Sequence, residues 1–303
     1  MSGGVTGKAG NRLPMSILDS TILGLRSHRL FKPILLNGLT MRIGFFQFAP
    51  IFGEVQANIE QVVQRLSGIE ADLIVLPELF TSGYQFVSKR EVRDLSEEIP
   101  GGPTTARLIE LARDRRMIIA AGLPERSGRH CYNSSVLIGP KGFVAAYRKI
   151  HLFHEEKLWF SPGDMGFRVH RVGGVRIGMM VCFDWFFPES VRSLALQGAE
   201  IICHPSNLVL PYCPDAMVIR CLENRVFSVT ANRIGAEQRG GKPPLIYIGQ
   251  SEVVSPKGLV LYRAKPDEED LAVVEVNPKD ACNKQVNSYN DLFRDRKTKF
   301  YKR

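Results

Sequence analysis

The stretch GMMVCFDWFFPES, residues 178–190, decides the fold because it places a cysteine directly after an apolar run. The run from Val175 to Val181 is short and lies close to Gly and Pro, which is typical of a buried strand. Cys182 therefore stands where a strand ends, and in open α/β sheets ligands bind at the carboxyl ends of strands. A lone buried cysteine is usually a packing residue. We therefore regard Cys182 as a nucleophile only if suitable partners occur elsewhere in the chain.

Strands and helices alternate on both sides of this stretch. Apolar residues at helical spacing predict helices over 55–70, 104–115, 190–199 and 215–226. Apolar runs and alternating patterns predict strands over 41–48, 72–78, 117–125, 132–140, 143–152, 175–183, 200–206, 226–233, 250–256, 259–264 and 271–277. Because βα units occur together with a hairpin, the pattern predicts an α/β fold with mixed sheets.

One domain over residues 41–290 is the economical interpretation, because no linker or internal repeat interrupts that range. Residues 1–40 are predicted to be an N-terminal extension, with five basic residues and one acidic residue. This composition fits an organelle transit peptide. A mis-assigned start codon, with Met41 as the true beginning, explains it equally well, and we favour this second interpretation. Residues 291–303 are predicted to be a C-terminal tail that is flexible or lies at an oligomer interface.

The bulk composition is that of an ordinary globular protein. The 303 residues are 44% hydrophobic and 23% charged, and no apolar run approaches the roughly 18–20 residues that span a bilayer. The net charge of +9 includes no long basic block, so we expect no nucleic-acid partner and no membrane partner. The six cysteines include no C-x-x-C pair, so we expect free thiols in a reducing, cytoplasmic compartment.

Two further apolar runs end in a charged residue. LIVLPELFTSGY presents Glu78, and YRKIHL presents Lys149. Such a charge must be paired or reach solvent, because an unpaired buried charge is costly. Together with Cys182 the two residues make a coherent site. A carboxyl group whose pKa is raised by burial can take a thiol proton near neutral pH, and an ammonium group can stabilise an oxyanion. The pattern indicates acyl transfer to the cysteine followed by hydrolysis.

Three segments carry a resemblance to a known family: PELFTSGY at 77–84, YRKIHLF at 147–153 and CFDWFFPES at 182–190. In these segments and their order the chain resembles the nitrilase, or carbon–nitrogen hydrolase, superfamily over residues 41–290. The resemblance implies a four-layer α-β-β-α sandwich that acts on a small molecule and assembles as a homodimer or a higher homo-oligomer. It implies neither a metal nor an organic cofactor.

The resemblance also implies a role for each matching residue. Glu78 is the expected general base, Lys149 the cation that stabilises the oxyanion, and Cys182 the nucleophile. The backbone N–H of Phe183 is the expected second oxyanion donor, so we count Phe183 among the substrate-binding residues.

The family has a second glutamate between the lysine and the cysteine, which helps to place the lysine and the substrate. The segment FHEEKLWFSPGD offers Glu155 and Glu156, and the spacing to Phe-Ser-Pro-Gly favours Glu156. His154 is predicted to border the substrate pocket, with a surface histidine as the alternative. Trp185 is predicted to form the pocket wall, with core packing as the alternative. Asn207 follows another predicted strand, and we expect it at the far rim.

The residues after the nucleophile bear on the substrate. In the family, nitrile-hydrolysing branches have Trp-Glu after the cysteine, whereas this chain has Phe183-Asp184, as amidase and carbamoylase branches do. This difference favours hydrolysis of a small linear amide with release of ammonia. An aliphatic nitrile or an N-carbamoyl amine is the alternative substrate. For a carbamoyl substrate that bears a carboxylate, Arg233 and Arg239 are candidate binding residues.

Two hypotheses of other kinds compete with this interpretation. The first is a non-catalytic oligomeric scaffold, against which the intact set of acid, lysine and cysteine argues. The second is a papain-like hydrolase, in which His151 or His204 would be the base for the cysteine. No segment around either histidine matches a family motif, and we assign His204 no catalytic role.

Overall fold

A computed structural model describes Met1 and residues 40–301 of the chain. Most of the predicted extension, residues 2–39, and the last two residues of the predicted tail lie outside the described residues. The domain boundaries proposed at 40/41 and 290/291 therefore stay predictions.

The first of two large sheets has six strands. In spatial order they are β14 (Asp270–Val276), β1 (Met41–Gln47), β2 (Leu73–Val75), β3 (Ile118–Ser127), β4 (His130–Gly139) and β5 (Gly142–Arg148). β1, β2 and β3 run parallel to one another, and the remaining pairs are antiparallel. β5 therefore runs in the same direction as β2, so that both strands end at the same edge of the sheet.

The second sheet also has six strands and is mixed. In spatial order they are β13 (Val260–Arg263), β12 (Glu252–Val254), β9 (Phe227–Ala231), β8 (Ile201–Pro205), β7 (Val175–Met179) and β6 (Val169–Val172). Its three central strands, β7, β8 and β9, are parallel. β10 (Ala236–Glu237) and β11 (Leu245–Ile246) form a separate short pair.

Helices connect these strands. The α-helices are α1 (Val55–Ser67), α2 (Lys89–Leu95), α3 (Pro103–Arg115), α4 (Glu156–Trp159), α5 (Pro188–Leu196) and α6 (Cys213–Asn224). In the described part of the chain, 3₁₀ helices cover Cys182–Phe186, Pro278–Cys282 and Thr298–Phe300. Within residues 40–301 no helix is long and apolar enough to cross a membrane.

The two faces of the first sheet pack into different cores, because successive side chains of a strand point to opposite faces. Phe45 faces the second sheet and packs in one core with Ile177 of β7. The next residue, Phe46, points the other way and packs in a second core with Ile59 of α1 and Leu108 of α3.

Helices α5 and α6 cover the outer face of the second sheet. Gly178 leaves room for α5, because a Cβ at this position would lie 2.9 Å from the Leu194 side chain. Met217 of α6 belongs to the same core. The layers therefore follow the order α-β-β-α, which confirms the predicted fold class.

Several short elements were not predicted. α2 and α4 have too few residues to show helical periodicity, and β6, β10 and β11 are likewise too short for a clear alternating pattern. The strand predicted over 175–183 is longer than the strand that the structure shows there. β7 ends at Met179, because Asp184 Oδ2 accepts the Val181 N–H at 2.8 Å and closes the chain into a 3₁₀ turn.

Candidate active site

Cys182 begins the 3₁₀ helix that follows β7, and its φ of 41° lies in the left-handed region. A residue other than glycine adopts this conformation only when its surroundings enforce it. Here the carbonyl oxygen of Cys182 accepts a hydrogen bond from His204 Nε2 at 2.9 Å. The sharp turn places Cys182 just beyond the carboxyl end of β7.

Glu78 follows β2 of the first sheet, and Gly122 of β3 allows its close approach. A Cβ at position 122 would lie 2.5 Å from Glu78 Cα, so a larger residue would displace the segment that carries the carboxylate. Gly122 also binds this segment, since its N–H donates to Pro77 O at 3.2 Å and its carbonyl accepts from Phe80 N–H at 3.0 Å.

Lys149 follows β5 and joins two carboxylates. Its Nζ lies 2.7 Å from Glu78 Oε1 and 2.7 Å from Glu156 Oε1. Asn133 of β4 donates from Nδ2 to the same Glu78 oxygen at 2.6 Å. The structure therefore brings Glu78, Lys149 and Glu156 together, and with Cys182 none of these residues is more than 5% exposed.

The charges of this cluster act on the cysteine. Burial raises the pKa of the Cys182 thiol well above its ordinary value, and Glu78 raises it further. The Lys149 ammonium and the backbone N–H of Asn207 act in the opposite direction. The thiol is therefore protonated at neutral pH, and an attack by sulfur requires a base within reach.

The lysine and the second glutamate also have shifted pKa values. Burial alone would lower the pKa of Lys149, but the negative charges of Glu156 and Glu78 raise it, so the group is a cation. Burial raises the pKa of Glu156, Lys149 lowers it and Glu78 raises it again, with a net upward shift. One ammonium group thus has to neutralise two buried carboxylates.

Of the two adjacent glutamates, the structure places Glu156 in the site. Glu156 is 3% exposed and binds Lys149, whereas Glu155 turns outward and pairs with Lys242 Nζ at 2.5 Å. The first residue of α4 therefore points into the cluster, and the residue before it points toward the loop between β10 and β11.

The four predicted substrate-binding residues differ in position. Phe183 is partly exposed and packs on Phe153 with a ring-centroid distance of 5.0 Å, beside the nucleophile. Asn207 is 3% exposed, and within the described part of the chain its side-chain oxygen and nitrogen have no hydrogen-bond partner. Trp185 lies in the apolar core. His154 is exposed, with a φ of 48°, and is not brought to the catalytic groups.

Tyr84 was not predicted as a site residue. Its hydroxyl donates to Glu156 Oε1 at 2.6 Å. Tyr84 lies inside the motif PELFTSGY, and Asn133 lies inside the strand predicted over 132–140. Neither stands at the end of an apolar strand, whereas Glu78, Lys149 and Cys182 do.

Neither histidine proposed for a papain-like site binds the cysteine sulfur. His204 Nε2 donates to the Cys182 carbonyl, and burial lowers the pKa of His204 to about 4. His151 Nδ1 lies 2.7 Å from Asp184 Oδ1. Across residues 40–301, no three or more His, Cys, Asp or Glu side chains are grouped so that they would bind a metal ion.

This arrangement of a buried acid, lysine and cysteine can be compared with known proteins. A family model described as carbon–nitrogen hydrolase matches residues 39–283. The protein belongs to the carbon–nitrogen hydrolase family. The match confirms the family predicted from the three motifs, and with it the assignment of the chain as a hydrolase.

Known relatives of this hydrolase carry different activity names. A protein named nitrilase from Pyrococcus abyssi is 47% identical over 264 residues, which cover 86% of this chain and 99% of that protein. The solved carbon–nitrogen hydrolase of Helicobacter pylori G27 superposes with a TM-score of 0.79 at 26% identity, covering 87% of this chain and 97% of that one.

A third relative bears on the nucleophile. It is a mutant amidase from Nesterenkonia sp. AN1, solved with the acetamide moiety of fluoroacetamide added covalently at its active site cysteine. It superposes with a TM-score of 0.71 at 27% identity and covers 88% of this chain and 98% of that one. Of the three relatives, one is named a nitrilase and one an amidase, and both names fall within the hydrolase activities predicted for this chain.

Proposed function

We propose that this hydrolase cleaves the C–N bond of a small linear amide through a thioester on Cys182 and releases ammonia. The observation that carries the proposal is the buried cluster in which one Lys149 ammonium group binds both Glu78 and Glu156, together with the buried thiol of Cys182. Such a cluster supplies a nucleophile, a base and a fixed positive charge at one place.

The first step uses the free oxygen of the general base. Glu78 Oε1 is occupied by Lys149 and Asn133, whereas among the described residues Oε2 has no hydrogen-bond partner. Oε2 therefore takes the thiol proton while the sulfur of Cys182 bonds to the carbonyl carbon. The developing oxyanion faces the Lys149 ammonium group and the backbone N–H of Phe183.

The second step breaks the C–N bond. As the oxyanion collapses, Glu78 passes its proton to the leaving nitrogen, so that ammonia departs and a thioester remains on Cys182. Water then attacks the thioester carbon and gives a proton to Glu78. The thiolate leaves, Glu78 returns the proton to it, and the carboxylic acid product is released.

An aliphatic nitrile is the second candidate substrate. The Phe183-Asp184 pair favours an amide by resemblance, while the 47% identical Pyrococcus abyssi relative is named a nitrilase. A carbamoyl substrate with a carboxylate is less favoured, because both candidate arginines are already paired. Arg233 pairs with Glu237, and Arg239 Nη2 lies 2.6 Å from Glu91 Oε1.

An ammonia-release assay tests the proposed function. Amides, nitriles and N-carbamoyl amines that share one acyl group are compared, so that only the scissile group differs. We expect the highest kcat/KM for the amide, and we expect Cys182→Ala to reduce release to the uncatalysed rate. Glu78→Gln should reduce kcat at least about 10³-fold with the fold retained. If Cys182→Ala released ammonia at the rate of the unmodified protein, the mechanism would be refuted.

We also propose that the hydrolase is a homodimer and works in the cytoplasm. Exposed apolar residues support the dimer: Tyr212, just before α6, is 62% exposed, and Ile219 and Leu222 of α6 are 51% and 40% exposed. The six free cysteines, one of them on the surface, support a reducing compartment.

A further inference from the structure

The hydroxyl of Tyr84 occupies a specific place in the catalytic cluster. It donates to Glu156 Oε1 at 2.6 Å, and Lys149 Nζ donates to the same oxygen at 2.7 Å. The other oxygen, Oε2, accepts the Phe153 N–H at 3.2 Å and no other hydrogen bond from the residues that the structure describes. Tyr84 and Lys149 therefore hold one oxygen of the Glu156 carboxylate, and the backbone N–H of Phe153 holds the other.

The loop that carries Tyr84 is attached to a buried ion pair. Glu237 accepts the backbone N–H groups of Tyr84 at 3.0 Å and of Gln85 at 2.7 Å, and it pairs with Arg233. Arg233 is 2% exposed and also donates to Pro50 O at 3.1 Å. Removing an ion pair from water is costly. Here the pair connects the chain segments that follow β1, β2 and β9.

We propose that Tyr84 is a positioning residue that holds Glu156 against Lys149, and that the Arg233–Glu237 ion pair holds Tyr84 in place. The inference rests on the proposed function, since it concerns the residues that orient the oxyanion-stabilising lysine. Tyr84 itself touches neither the thiol nor the leaving group in this scheme, and it acts through Glu156.

The electrostatics agree with this role. Four titratable groups from three chain segments surround Glu156: Glu78 and Tyr84 between β2 and α2, Lys149 after β5, and Cys182 in the 3₁₀ helix. Burial and the nearby carboxylates raise the pKa of Tyr84 well above its ordinary value, so the hydroxyl stays a donor. The hydrogen bond from Tyr84 lowers the pKa of Glu156, against the effect of burial.

Tyr84→Phe tests the role because it removes only the hydroxyl and keeps the ring, whose centroid lies 6.3 Å from that of Tyr247. We expect kcat to fall about 10- to 100-fold, the size typical of a lost hydrogen bond to a charged group. KM should change little. The acidic limb of the kcat–pH profile should move to higher pH, because Glu156 then takes a proton more readily.

Tyr262→Phe is the matched control. It also removes a hydroxyl that donates to a carboxylate, Asp270 Oδ2 at 2.8 Å, but on an exposed part of the second sheet. We expect its kcat and pH profile to equal those of the unmodified protein. If Tyr84→Phe behaves like this control, the inference is wrong while the proposed function stands. If Cys182→Ala retains ammonia release, the proposed function itself has failed.

A double-mutant cycle tests the ion pair. If Glu237 acts through Tyr84, Glu237→Gln should reduce kcat in the unmodified protein but not further in the Tyr84→Phe background. Additive losses would show that the ion pair acts by another route. Glu237→Gln leaves Arg233 buried without its partner and can lower stability. Tyr84→Phe changes no buried charge, so its pH profile decides the central claim even where Glu237→Gln folds poorly.

Discussion

Glu155 and Glu156 are neighbours in sequence with opposite surroundings, and this contrast gives a matched pair of variants. Glu156→Gln replaces a buried charge that neutralises Lys149, so we expect kcat for ammonia release to fall about 10²-fold or more. Glu155→Gln breaks a half-exposed ion pair with Lys242 and should change kcat less than about 2-fold. Circular dichroism checks that both variants fold. Equal losses in the two variants would contradict the placement of Glu156 in the site.

At the residue scale, the predictable positions were those that end an apolar strand. Glu78, Lys149 and Cys182 each follow such a run, so one rule found all three in the sequence. Tyr84 and Asn133 have no such mark. They join the site because β4 pairs beside β3 and because the loop after β2 folds back over α4, and these contacts are long-range.

Asp184 joins two elements of the site. It accepts from Val181 N–H at 2.8 Å, Tyr147 Oη at 2.7 Å and the backbone N–H of His151 at 3.2 Å. It thereby holds the start of the 3₁₀ helix against the chain segment that carries Lys149. A buried carboxylate with several donors contributes more than any one of these bonds, because removing it leaves those donors unpaired.

We expect Asp184→Asn to lower the free energy of unfolding by about 2–4 kcal/mol, since the amide can accept at only one of its two terminal atoms. Cys182 should also react more slowly with an alkylating reagent. The control is Asp164→Asn, which removes a 59% exposed partner of Arg148 and should cost about 0.5 kcal/mol or less. Urea unfolding measures both values. If Asp184→Asn lowers the free energy of unfolding no more than Asp164→Asn does, Asp184 does not hold the 3₁₀ helix against the segment that carries Lys149.

Long periodic elements were predictable and short ones were not. Helix α1 repeats apolar residues on one face over 13 residues, which a sequence pattern can detect. Helix α4 has only four residues, and its first side chain, Glu156, binds Lys149 and Tyr84, which are distant from it in sequence or lie outside the helix. The strand before Cys182 was predicted to be longer than β7, because Met180 and Val181, which follow β7, are as apolar as the residues of the strand.

Residues 40–301 form a sandwich in which helices α5 and α6 make the outer layer on the second sheet. A helix that packs on a sheet normally presents polar residues on its other side. α6 instead presents Ile219 and Leu222, and Tyr212 lies at its start. In a dimer with twofold symmetry the same patch meets its own copy, so one apolar face on each chain is enough to build the interface.

Ile219→Lys tests this assembly, because twofold symmetry places the new charge in the interface twice. We expect light scattering coupled to gel filtration to give the mass of two chains for the unmodified protein and of one chain for Ile219→Lys. Val144→Lys introduces the same charge at a 37% exposed valine of β5, in the other sheet, and should remain a dimer. A single-chain mass for the unmodified protein would refute the dimer. A two-chain mass for Ile219→Lys would place the interface elsewhere than on α6.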